Sequence, residues 1–75
     1  MTTFTAGTEY VTGVFGTNAI FKVVSRTPKT IKVQGEWDNQ VQVKTFRPAV
    51  HDGVEFIKPF GSYARCPIMK ASRAI

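Results

Sequence analysis

Between residues 30 and 37 apolar and polar side chains alternate along the chain: Ile31, Val33 and Trp37 fall to one side, Lys32, Gln34 and Glu36 to the other. A period of two fits a pleated strand with one buried face, because a helix would return its apolar residues every three or four positions. The same texture recurs in shorter or rougher form. Residues 8–14 read as a first strand, closed by Gly16, Thr17 and Asn18. Residues 19–27 read as a second, with Ala19, Phe21 and Val23 on one face and Ile20, Lys22 and Val24 on the other. Residues 30–37 form the third, where Gly35 is expected at a bulge. Residues 41–47 form the fourth, with Val41, Val43 and Thr45 on one face opposed by Gln42, Lys44 and Phe46 on the outward one. Residues 54–58 form the fifth.

Turn chemistry separates these runs. Pro28 has no N–H for a ladder, so residues 26–29 are a connection. Asp38-Asn39 reads as a turn, and Asp52-Gly53 as a tight hairpin, since Gly accepts a positive φ without steric cost. Pro59-Phe60-Gly61 ends the fifth strand. In the tail, Tyr63, Cys66, Ile68 and Met69 are expected to be buried, with a single helical turn over residues 68–71 closing one end. Five short strands at this spacing predict an all-β fold, a small five-stranded SH3-like barrel with a short C-terminal helical turn. Closure suits such a chain because it removes edges that invite aggregation. An OB-like barrel is the alternative, although such chains are usually longer.

At 75 residues, with 43% hydrophobic and 12% aromatic side chains, residues 1–75 are expected to form one folded domain. A chain of this size buries only about 60% of its unfolded surface and has no room for a deep substrate cleft. The single Cys66 allows no internal disulfide, which points to a reducing compartment. Residues 1–7 lack the basic and apolar regions of a signal peptide, and no apolar run approaches the roughly 20 residues that span a bilayer. A cytoplasmic location, away from membranes, is the expectation.

Catalytic chemistry finds little support. Cys66 and His51, with Asp52 as orienter, name the types needed for a nucleophile and base, but no oxyanion hole or cleft accompanies them. One Cys and one His fall short of a structural zinc site. The six glycines are scattered and none opens a phosphate-binding loop. The expectation is a protein that is not an enzyme and uses no cofactor or metal.

Charge carries more information. Ten Lys and Arg against five Asp and Glu give a net charge of +5, and a pI near 9.8 lies in the range of nucleic-acid-binding domains. On neighbouring strands two, three and four, Lys22, Lys32 and Lys44 are expected to point outward with Gln34 and Gln42 between them. Arg26, Lys29 and Arg47 lie at the strand ends. Together they would form a stripe, at about 4.8 Å per strand, able to follow a phosphate backbone. Among the aromatics, Trp37, Tyr10, Tyr63, Phe46 and Phe60 are mostly needed for the core. Phe46 shares the outward parity of Lys44 and is the best candidate to stack on a base, while Tyr63 should keep its hydroxyl near the surface. The partner is therefore expected to be nucleic acid, or alternatively an acidic protein surface met by the same basic face.

Arg26-Thr27-Pro28-Lys29-Thr30, then Glu55, then Pro59-Phe60-Gly61-Ser62-Tyr63, Pro67 and Ala71, resemble a set of short proteins of bacteria and their phages or plasmids, marked by an R-T-x-K run and a P-x-G-x-Y ending. The resemblance spans residues 8–71. It implies an origin in a bacterium, phage or mobile element, and brings no site with it.

Overall fold

The computed structural model describes residues 1–14, 16–61 and 66–75, and among them every regular element is a strand. Four strands, β1 (Glu9–Val14), β2 (Thr17–Arg26), β3 (Ile31–Trp37) and β4 (Gln40–Phe46), form an antiparallel meander in that order. Three shorter ones, β5 (Ala49–His51), β6 (Val54–Ile57) and β7 (Met69–Lys70), form a second antiparallel sheet. The all-β class is what the alternation predicts. The finer expectation is corrected: these are seven strands in two sheets, not five closed into one barrel. The tail differs too. Where a helical turn was expected over residues 68–71, Met69 pairs with Ile57 and Lys70 with Phe56, because Met69 fills the core completely from a strand.

Both predicted hairpin turns are present. Asp38 and Asn39 take φ of 53° and 62°, and Asp52 and Gly53 take 52° and 75°, the positive pairs of turns whose twist matches that of the flanking strands. The expected bulge lies elsewhere. Gly35 sits in regular register opposite Gln42, while β2 slips between Val23 and Ser25. Glycine is required at position 35 for a different reason: an added Cβ would fall inside the ring of the buried Phe21.

The core lies between the two sheets and is built from Phe4, Tyr10, Phe21, Val23, Ile31, Val33, Trp37, Ile57, Met69 and Ala71. Trp37 Nε1 donates to the Pro59 carbonyl at 2.9 Å, tying the third strand to the segment after β6. A polar clasp joins the sheets as well. Arg26, at the end of β2, donates from Nη1 to Glu55 Oε1 at 2.8 Å and to the Phe4 carbonyl at 2.8 Å. The Phe4 N–H donates to the same Glu55 oxygen, also at 2.8 Å. The edges of the meander are treated differently. Residues 73–75 cover β1, with Val11 N–H donating to Arg73 and Ile75 N–H to Glu9, each at 3.0 Å. Among the described residues no such segment pairs with β4.

Candidate functional site

Residues that stand opposite one another in an antiparallel ladder share a face, so the register assigns every side chain of the meander. Its outer face carries Ile20, Lys22, Lys32 and Gln34, as the sequence predicts, and all four are exposed. It also carries two carboxylates. Glu9 stands opposite Lys22, and Glu36 opposite Val41. Two acids thus offset the two lysines, and the face is close to neutral.

Lys44 is not part of that face. The two-residue turn pairs Trp37 with Gln40, so Gln42, Lys44 and Phe46 stand opposite Gly35, Val33 and Ile31, on the core side. Lys44 is half-buried, with Nζ 4.8 Å from the centre of the Trp37 ring, in the range of a cation–π contact. Phe46 packs against the core with its ring 6.2 Å from that of Trp37. The outward placement of Lys44 and Phe46 is therefore corrected, and with it the inward placement of Val41 and Val43, which are 69% and 55% exposed. Apolar content suggested one orientation for β4, and turn geometry imposes the other.

The remaining basic residues divide. Arg26 is half-buried and engaged in the clasp. Its hydrogen bond holds the Glu55 carboxyl below the usual carboxylate range, against the opposing effect of burial and with help from the Phe4 N–H. Lys29 is exposed in the turn after β2, where Thr27 Oγ1 accepts from the N–H groups of Lys29 and Thr30. Arg47 is exposed just beyond β4.

The second sheet assembles a candidate site that sequence reasoning missed. In β6, Glu55 and Ile57 point inward and Val54 packs against the core cluster, leaving Phe56 on the outer face, with Lys58 next in parity. Phe56 occupies the middle strand, with Ala49 opposite it on β5 and Lys70 opposite it on β7. It is half-buried, lies outside the core cluster, and touches no other ring among the described residues. Three shallow grooves meet at its ring. Val50, His51, Lys58, Ile68 and Lys70 line one with it; Phe46, Arg47, Ala49, Ile57 and Lys58 line the second; His51, Asp52, Val54, Lys70 and Ser72 line the third. Among the described residues, Arg47 and Lys70 enter no ion pair. Asp52 borders the sheet at the hairpin tip, 3.3 Å from His51, with both side chains in solvent. The sequence signal was the parity of residues 54–58. It was obscured because an acid, Glu55, takes an inward position.

The nucleophile-and-base candidates stay apart in character: His51 and Asp52 are exposed, and Cys66 is half-buried. Among the described residues no group of three His, Cys, Asp or Glu is placed to hold a metal ion, and no helix is long and apolar enough to cross a membrane. Tyr63 lies outside the described residues. Comparison of the chain with protein-family models, with curated proteins and with solved structures found no match.

Proposed function

We propose that this chain is a small basic binding module that holds a nucleic-acid backbone against the outer face of β5–β7. One observation carries the reading: Arg47 and Lys70, which enter no ion pair among the described residues, border the same open face around Phe56, while Lys22 of the larger sheet stands opposite Glu9. Cations on an open face neutralise phosphates and release counterions on binding. Lys22, Lys29 and Lys32 contribute to the long-range field that attracts a polyanion. The proposal treats the two-sheet plan as an opened SH3-like arrangement. It assigns the module to the reducing cytoplasm of a bacterium or its phage, on the single Cys66 and the resemblance of the Arg26–Thr30 run.

Two variants of equal net charge test the location. Arg47→Glu/Lys70→Glu and Lys22→Glu/Lys32→Glu each remove four charges from +5, leaving +1. The first should abolish binding to an oligonucleotide at about 50 mM salt, where non-specific phosphate contacts are strong. The second should retain most of it. Equal losses would show that net charge, not this face, governs binding. A parent that binds neither RNA nor DNA at that salt would sink the reading in favour of a second one. That alternative is an interaction or inhibitor module from a phage or mobile element that meets an acidic protein. The exposed Val41 and Val43 of β4, a strand that no further segment pairs with among the described residues, favour it, since such an edge accepts an added strand.

A further inference from the structure

We infer that the ligand of this face is single-stranded, and that one of its bases stacks on Phe56; the inference rests on the nucleic-acid reading above. Phe56 is placed where a structural phenylalanine has little to do. It is on the solvent side of the central strand, outside the core cluster that Phe4, Phe21 and Phe46 build or flank. Ala49 adds only a methyl group on one side of the ring, and the stem of Lys70 lies on the other. Ile68, 40% exposed, adds an apolar side chain to the same groove. An aromatic ring on an open sheet, floored by apolar side chains and rimmed by cations, presents a π-face to a base and charges to the phosphates on its flanks.

That geometry discriminates between strands. In a duplex the bases stack on one another and offer only their edges in the grooves. A ring seated among shallow grooves is reached by a base that has left its stack. His51, Asp52, Arg47, Lys58 and Lys70 line the grooves around Phe56, but the contact with Phe56 itself is a stack, which every base can make. Different bases should therefore bind with similar strength.

The test compares fluorescence anisotropy of labelled single-stranded oligonucleotides with that of duplexes of the same length and salt, for the parent and for Phe56→Leu and Phe56→Tyr. Leucine keeps the apolar contact and the fold but offers no π-face; tyrosine keeps the ring. The parent should prefer single strands, with homopolymers of different base within a few-fold of each other. Phe56→Leu should lose about tenfold to a hundredfold of single-strand affinity, the range expected for one stacked base. Its salt dependence and duplex binding should be unchanged, and Phe56→Tyr should behave as the parent. If the parent binds duplex as well as single strands, or Phe56→Leu binds single strands like the parent, stacking is overturned while the backbone reading stands. If the parent binds neither form, the backbone reading itself has failed.

Discussion

Outside the β1–β4 meander, Lys22 faces Glu9 and Val41 faces Glu36. Outside β5–β7, Phe56 lies between Ala49 and Lys70 with Arg47 and Lys58 at its margins. Both surfaces are sheet faces of one small molecule that carries +5 overall, yet the excess charge is not spread evenly between them. The larger face sets Glu9 opposite Lys22 and carries Glu36 as well, so its two lysines are matched in number by two acids. The smaller face sets Arg47 and Lys70, neither of them in an ion pair among the described residues, around an aromatic ring. Size and strand length are therefore poor guides to function: the proposed site lies on the sheet with the shorter strands.

The comparison breaks most severely if the shared core is lost. Val33 is 0% exposed; Val33→Asp should unfold the domain, because an unpaired buried charge costs several kcal/mol against a total of about 5–15. Neighbouring Lys32→Asp should remain folded. Thermal melts in which the two variants behave alike would contradict the assignment of inner and outer faces.

A smaller loss should follow from opening the clasp between the sheets. Glu55→Ala leaves the Arg26 guanidinium without its carboxylate, at a cost of about 3 kcal/mol in urea unfolding. The same pair gives a pH dependence. Because the folded Glu55 carboxyl titrates below its unfolded value, its contribution is complete above the unfolded value of about 4.3. It is lost as pH falls through the lower, folded one. Glu55→Gln should flatten the acid limb of the stability profile; an unchanged limb would show that other carboxylates govern it.

Next in size is Gly35→Ala, which drives a methyl group into the Phe21 ring and should cost about 1–3 kcal/mol by overpacking. Wild-type stability for this variant would mean that the ring can move aside. The smallest effect belongs to the larger face. Val41→Thr/Val43→Thr should change stability by no more than about 0.5 kcal/mol and leave oligonucleotide binding as in the parent. A loss of binding there would move the interface onto the meander.

Sequence reading went furthest where local pattern and long-range packing agree. The faces of β2 and β3 and both hairpin turns follow from side-chain alternation and from residues that tolerate positive φ. It failed on β4 because valine was taken as the sign of an inward face. The turn at Asp38-Asn39 already contained the answer, since it pairs Gln40 with the inward Trp37. The candidate site was less legible for two reasons. β5 and β7 have three and two residues, too few to show a period. The inward turn of Glu55 depends on Arg26, 29 positions earlier, a partner no local window contains.

The clasp also bears on the order in which the molecule assembles. The hairpins of the meander join residues close in sequence, whereas the bond from the Phe4 N–H to Glu55 spans 51 positions, and residues 73–75 return to β1 from the far end of the chain. Closing long loops is the slow, entropically costly part of folding. The meander can thus form early as an open sheet, while β6 comes to rest against the core only when these distant segments meet. β5 and β6 form a local hairpin of their own, so the face around Phe56 is half built early and is completed only when β7 pairs with β6.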